Sequence, residues 1–238
     1  VLNISIVSHG HGEMVADLLR DLDALVQVPL RIIVTLNIPE ADSLSGVSLR
    51  HPLRIIRNPR PRGFAANHNA AFRLAGPGAF CVLNPDVRLR ADPFPALLAE
   101  IADARVAAVA PVIVDPGGHV ESTARRFPTP LSILRKGVFG APEAEYAVGS
   151  APLAVDWVSG TFMLVNASTF GQVGGFDERY FLYYEDVDLC ARLRREGLAV
   201  RLVPTVQAVH AARHDSHRKL RYLRWHLASM LRFFLTRY

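Results

Sequence analysis

Cysteine is scarce in this chain. Cys81 and Cys190 are the two present, far apart and each inside an apolar run. That excludes a disulfide framework and a thiolate metal centre, and it fits reduced core residues of a cytosolic protein. Long apolar runs are missing too, and none approaches the ~20 residues a bilayer-spanning helix needs. The N-terminal "VLNISIVSHG" carries no basic leader region and reads as a strand, so no secretory signal is expected. There is no Gly-rich loop ending in Gly-Lys-Ser/Thr, which disfavours P-loop phosphoryl transfer. After the first strand "HGHGEM" lacks the third glycine of a dinucleotide fingerprint, which argues against a nicotinamide oxidoreductase. Low-complexity tracts and internal repeats are also absent.

What is present is an ordinary globular composition. The 238 residues are half apolar, enough for one sizeable α/β domain, with a formal charge of +5. That charge permits an anionic partner. The aromatics are not interleaved with the basic clusters as base-stacking modules require, so nucleic acid is not expected.

The periodicity alternates. "NISIVS", "LRIIVTLN", "LRIIRN", "AFCVLNPDV" and "VAAVAPVIV" read as strands. Between them, "MVADLLRDLDAL", "GFAANHNAAFRLA" and "FPALLAEIAD" read as helices. Strands alternating with helices predict a largely parallel sheet with helices on both faces. Residues 115–152, rich in Pro, Gly and charge, read as an excursion with short helical pieces. "VDWVSGTFMLVN" and "LAVRLVPTVQAVHAARHDS" return as strands. "HRKLRYLRWHLASMLRFFLTRY" reads as a basic amphipathic helix with Leu220, Leu223, Leu227, Met230, Leu231 and Phe234 on one stripe. No linker divides the chain, so one domain is expected over 1–238. Residues 1–114 would form its first half, 115–213 its second and 214–238 the C-terminal helix.

Ligands of open α/β sheets bind beyond the carboxyl ends of the strands. Four such ends carry polar residues here: Ser8-His9, Asn37, the segment from Asn58 to Asn69, and Asn84-Pro85-Asp86. Asn-Pro-Asp is a common turn. After a buried strand its carboxylate is also suited to a divalent cation that neutralises a diphosphate. A second acidic cluster, Glu185, Asp186 and Asp188, opens a helix straight after Tyr180, Phe181, Tyr183 and Tyr184. Acids complement the helix dipole at such a place, and Asp188 reads as a helix-start residue worth about 1 kcal/mol or less. A carboxylate fixed beside aromatics at a cleft would equally serve as a general base toward a sugar hydroxyl.

Taken together, "ISIVSHG", "NPRPRGFAANHNAAF", "LNPDV", the run from Val155 to Gly197 and "AVH" at 208–210 resemble an inverting nucleotide-sugar glycosyltransferase of family 2. The likeness is to its bacterial rhamnosyltransferase-like branch and spans nearly the whole chain. It implies a GT-A fold: a Rossmann-like, mostly parallel mixed sheet flanked by helices. It implies nucleotide-sugar binding for residues 1–114, and acceptor binding and catalysis for residues 115–213. It implies transfer of a sugar such as rhamnose from a dTDP- or UDP-sugar to a saccharide or lipid-linked saccharide acceptor of a cell-surface glycan, with Mg²⁺ or Mn²⁺. By position, Ser8, His9 and Asn37 would lie around base and ribose, and Asn58, Gly63, Phe64, Asn67 and Asn69 would form the nucleotide-side loop and helix. The family usually has Asp where Asn37 stands. Asn84 and Asp86 stand in place of its Asp-x-Asp motif, leaving Asp86 as the metal ligand, with His210 completing the site. Asp186 matches the catalytic base, with Glu185 its supporting neighbour. Trp157, Ser159, Gly160 and Thr161 would line the acceptor side.

One displacement inverts the anomeric centre, so a single base suffices. A sugar-nucleotide pyrophosphorylase would instead show a Gly-rich, basic segment after the first strand. A catalytically degenerate binding module remains the other reading, kept open by Asn37 and Asn84. The expected location is cytoplasmic, with peripheral contact at the inner membrane face through the C-terminal helix. That helix would otherwise pack on the protein or in a homodimer.

Overall fold

The first strand, β1 (Leu2–Ser8), divides the molecule. Its Leu2, Ile4 and Ile6 join one apolar cluster with Leu18, Leu19, Leu22, Phe94 and Leu97. Its intervening Asn3 and Ser5 are fully buried on the other face and fully paired. Asn3 Nδ2 donates to the carbonyls of Gly76 and Ala79, at 3.0 Å each. Ser5 Oγ lies 2.8 Å from His68 Nδ1. An unpaired buried hydroxyl would cost about 1–3 kcal/mol, so these polar contacts fix the helix that carries His68 against β1.

The coordinates are a computed structural model that describes residues 1–40, 43–139, 145–211 and 220–237. After β1 come α1 (Gly12–Leu25), β2 (Leu30–Leu36), β3 (Leu53–Arg57), α2 (Phe64–Phe72), β4 (Ala79–Leu83), β5 (Val87–Arg88), α3 (Phe94–Ile101) and β6 (Val106–Val114). The middle of the chain supplies β7 (Ala124–Arg125), α4 (Pro130–Phe139), β8 (Leu153–Val155) and β9 (Trp157–Val158). It ends with β10 (Phe162–Asn166), α5 (Ala167–Gln172), α6 (Glu185–Arg195), β11 (Ala199–His210) and α7 (Leu220–Arg237). Residues 217–219 and 238, expected in the last helix, lie outside the described residues.

A nine-stranded sheet runs β3-β2-β1-β4-β10-β6-β11-β5, with β8 on β11. The strands β3, β2, β1 and β4 are mutually parallel, whereas β10 is antiparallel to both its neighbours. The α1 and α3 helices belong to the first cluster, and residues of α2, α5 and α6 form a second with Phe80, Val82 and Phe176. Both expectations, a mostly parallel mixed sheet and helices on its two faces, are met.

Register places the polar strand ends together. Phe162 of β10 pairs with Leu83, the last residue of β4, so Thr161 comes beside Asn84. His210, the last residue of β11, pairs with Val87, which brings it beside Asp86.

Candidate active site

Beyond the ends of β1, β2 and β3 lies a hydrogen-bonded loop system. Asn37 N donates to Ser8 O (2.9 Å), and Asn58 N donates to Leu36 O (3.0 Å), continuing the parallel ladder past the strand ends. Asn37 is buried and its amide is saturated. Oδ1 accepts from Asn58 Nδ2 and Arg62 N at 2.8 Å each, while Nδ2 donates to Arg62 O at 2.9 Å. Asn58 Nδ2 also donates to Asn67 Oδ1 (2.7 Å), and Asn67 Nδ2 returns to Arg62 O (3.1 Å). Three asparagines thus hold one turn, and Ser8 is similarly engaged. Its Oγ donates to Glu40 (2.8 Å) and accepts from His11 N (3.0 Å). His9 is exposed, with Nδ1 3.3 Å from Asn37 Nδ2. Its pKa is lowered, first by partial burial, then by the positive neighbours His11 and Arg221.

Gly63 precedes α2 for a steric reason. A Cβ there would stand 2.5 Å from the carbonyl oxygen of Phe181. That oxygen instead accepts from Phe64 N at 2.9 Å, filling one of the open donors at the helix start. Asn69 makes a second tie. It donates to Phe176 O (2.8 Å) and accepts from Phe176 N (3.0 Å), so α2 is latched to the chain leading into the acidic cluster.

At the end of β4, Asn84 N donates to Thr161 O (2.9 Å) and Ala211 N donates to Asp86 O (2.9 Å). His210 Nε2 lies 3.3 Å from Asp86 Oδ2, and its Nδ1 lies 2.9 Å from Glu121 Oε2. Burial alone would lower the His210 pKa, but the hydrogen bonds and charges of Asp86 and Glu121 outweigh it and raise it to about 9. Asp86 Oδ1 is buried with no partner. Among the described residues no three His, Cys, Asp or Glu side chains converge as a metal cage. One or two protein ligands plus substrate phosphates is, however, the usual arrangement for Mg²⁺ and similar hard cations. The orphaned oxygen of Asp86 fits that donor set, whereas His210, protonated between Asp86 and Glu121, would have to give up its Nε2 proton to join it, with Glu121 then its orienting partner. Glu121 escaped the sequence reading. It lies 89 residues from His210 in a segment with no motif.

The acidic cluster is built on strain. Tyr183 and Tyr184 both adopt left-handed backbone, at φ 70° and 69°. For non-glycine residues this costs roughly 1–2 kcal/mol each. Asp186 follows in the first turn of α6, its Oδ2 accepting from Gly160 N (3.0 Å) and its Oδ1 from Val187 N (2.8 Å). The Phe64 ring packs so close to Gly160 that a Cβ there would stand 2.8 Å from its tip. Burial raises the Asp186 pKa, opposed by those backbone N–H groups and by the positive charge of Arg125. Glu185 is 4% exposed and its Oε2 has no partner. Burial and the Asp186 charge drive its pKa well above the usual carboxylate range. The backbone N–H groups on Asp186 favour charge there, and the unpartnered, buried Glu185 favours its neutral form.

Asp188 stands in the first turn of α6, where a helix-start residue is expected, and has a second tie. It is 5% exposed and pairs with Arg192 (2.8 Å), which also donates to the carbonyls of Val173 and Gly175. The aromatic run divides, with Tyr180 and Tyr184 buried, while Phe181 is 39% exposed and stacks on Trp225 at 4.6 Å. On the presumed acceptor side, Trp157 Nε1 donates to Arg126 O (2.9 Å) and Ser159 Oγ to Thr161 Oγ1 (2.9 Å).

The polar strand ends and the buried carboxylate pair thus meet at one end of the sheet, where ligands of open α/β sheets bind. The family model for glycosyl transferase family 2 matches residues 30–153, a little over half of the chain. Rhamnosyltransferase WbbL of Escherichia coli K12 is 31% identical over 242 residues, covering 97% of this chain and 91% of that protein. The N-acetylglucosaminyl-diphospho-decaprenol L-rhamnosyltransferase of Mycobacterium tuberculosis H37Rv is 38% identical over 150 residues, which cover 58% of this chain and 48% of that one. The chain thus matches about half the length of the mycobacterial enzyme. GalNAc-T7 with UDP, GalNAc and Mn²⁺ superposes with a TM-score of 0.66 at 15% identity, over 90% of this chain and 44% of that one. The mannosyltransferase PcManGT of Pyrobaculum calidifontis with GDP-Man and Mn²⁺ gives 0.66 at 17%, over 97% and 64%. These structures share the GT-A fold. The chain belongs to glycosyltransferase family 2.

Proposed function

We propose that this enzyme transfers rhamnose, with inversion, from a dTDP- or UDP-activated donor to a hydroxyl of a lipid-linked saccharide during assembly of a bacterial surface glycan. One observation carries the mechanism. The tripeptide Ser159–Thr161 joins both halves of the site, since Thr161 O holds the turn of Asn84 and Gly160 N holds the carboxylate of Asp186. This common segment supports a leaving group and a base held at a set separation, the positioning that a single displacement requires.

His9 and the turn shaped by Asn37, Asn58 and Asn67 face the nucleoside, while Gly63 and Phe64 set the start of α2 beside it. Asp86, with His210 beside it, would hold Mg²⁺ or Mn²⁺, which would supply positive charge to a departing nucleoside diphosphate. Asp186 takes the proton of the attacking hydroxyl, and its raised pKa brings it nearer the operating pH, where general bases work best. Neutral Glu185 adds no competing charge. Trp157, Ser159, Gly160 and Thr161 receive the acceptor. The relatives named for rhamnosyl transfer, one of them to a diphospho-decaprenol acceptor, support the choice of donor sugar and acceptor class.

The enzyme meets the inner face of the cytoplasmic membrane through α7. That helix turns Leu220, Leu223, Leu227, Leu231 and Leu235 to solvent, with Arg221 and Arg224 on the same exposed surface. No described helix is long and apolar enough to cross a membrane, so this contact lies in the surface plane.

Asp86→Ala tests the donor half. Titration of UDP or dTDP should tighten on adding Mn²⁺ for the wild type and lose that tightening in the variant. Equal wild-type affinity with Mn²⁺ and with EDTA contradicts the metal assignment. A product with the donor's anomeric configuration contradicts inversion.

A further inference from the structure

The strained turn before Asp186 has a partner that lies far along the chain. On α7 the residues Trp225, His226, Ser229 and Phe233 form one face, and all four meet the segment 181–184. Trp225 stacks on Phe181 at 4.6 Å. The His226 ring stands edge-on to both left-handed tyrosines, 5.4 Å from Tyr183 and 5.5 Å from Tyr184. Ser229 is 5% exposed, and its Oγ donates to Leu182 O at 2.9 Å. Phe233, 3% exposed, packs on Tyr184 at 5.5 Å. Non-glycine residues stay in left-handed backbone only where their surroundings over-determine it. Here α6 offers no side-chain cap at Tyr184, which has no capping hydrogen bond of its own. On the other sides of the turn, Phe181 O accepts from Phe64 N of α2 at 2.9 Å and Tyr184 O accepts from Asp188 N of α6 at 2.8 Å.

We propose that His226 and Ser229 are positioning residues for catalysis, holding Tyr183 and Tyr184 in the backbone that aims Asp186 at the acceptor hydroxyl. Neither touches Asp186. They act through the turn, and α7 is thereby part of the active site's frame. This rests on Asp186 being the general base. A carboxylate released from the strained turn would lose its bond from Gly160 and its alignment, so turnover falls while donor binding, which uses the side chains at the ends of β1, β2 and β4 and not this carboxylate, is untouched. Misplacement of about 1 Å is enough to cost on the order of 10²-fold in rate.

The test is a double-mutant cycle on purified enzyme. His226→Ala, Ser229→Ala, His226→Phe and Asp186→Asn are assayed for kcat, for dissociation constant of UDP or dTDP, and for thermal midpoint. The expected result is a 10- to 100-fold fall in kcat for His226→Ala and Ser229→Ala at unchanged nucleotide affinity. His226→Phe, which restores a ring against the tyrosines, should recover most of it. In the Asp186→Asn background His226→Ala should cost almost nothing more. Wild-type kcat in both alanine variants, or a full additional loss on top of Asp186→Asn, overturns the inference. If Asp186→Asn alone keeps near-normal turnover, the base assignment has failed instead, and the two failures are told apart. Should Ser229→Ala not fold, the exposed His226 pair decides the matter alone.

Discussion

Glu185 and Asp186 are adjacent carboxylates, and their surroundings separate them. Glu185 is buried without a partner for Oε2, whereas Asp186 receives two backbone N–H groups. The raised Glu185 pKa makes a stability prediction with a definite sign. Its folded-state value lies above the unfolded one, so the native state favours the proton. The associated stability is complete below the unfolded value and is lost as pH rises through the folded one. Thermal midpoints should therefore decline from acid toward neutral pH in the wild type and decline less in Glu185→Gln. Parallel pH curves for the two proteins would contradict the burial argument. Asp188 carries a different prediction. Removing one member of a buried ion pair leaves Arg192 uncompensated and should cost on the order of 3 kcal/mol in Asp188→Asn, measurable by urea unfolding. A loss below about 1 kcal/mol would leave the helix-start role alone. The sequence showed three acids at a helix start. It could not show that Arg192, one turn on, reaches the carbonyls of Val173 and Gly175, because that contact depends on how the preceding loop folds back.

The elements were legible where periodicity is strong. The core strands, α1, α6 and the last helix stand where apolar spacing puts them. The orientation of α7 was not legible. Its expected stripe splits, with Met230 and Phe234 packing beside Phe233, and leaves an aliphatic arc through Leu220, Leu223, Leu227 and Leu231 opposite an arc through Trp225, Ser229 and Phe233. Hydropathy favours docking the first. The protein docks the second, because the aromatic turn at 181–184 offers rings and a carbonyl that match it. The leucines stay outside, from 47% exposed at Leu227 to 81% at Leu220. A leucine arc with neighbouring arginines suits an anionic interface. The protein should co-sediment with vesicles containing phosphatidylglycerol at low salt, and Leu227→Ser with Leu231→Ser should release it. Failure to bind such vesicles, or a concentration-dependent dimer abolished by the same changes, would assign the arc to a protein contact.

At the scale of the whole molecule, topology assembles the site from distant sequence. The central antiparallel strand β10 brings Thr161 to Asn84, and the long β11 returns His210 to Asp86. Motifs such as Asn84-Pro85-Asp86 and Glu185-Asp186 were readable because each is contiguous. Glu121 and the His226–Ser229 face were not, since strand pairing and helix docking alone bring them into place. The account's central claim is that Asp186 is the base on the acceptor side of a site whose donor side is independent of it. The direct measurement is steady-state turnover of Asp186→Asn beside its affinity for UDP or dTDP with Mn²⁺. The predicted result is a fall in kcat of about 10²–10⁴-fold, the usual worth of general-base catalysis, at unchanged nucleotide affinity. Near-normal turnover in a folded Asp186→Asn protein would contradict the claim and leave the acidic cluster as a helix-start device alone.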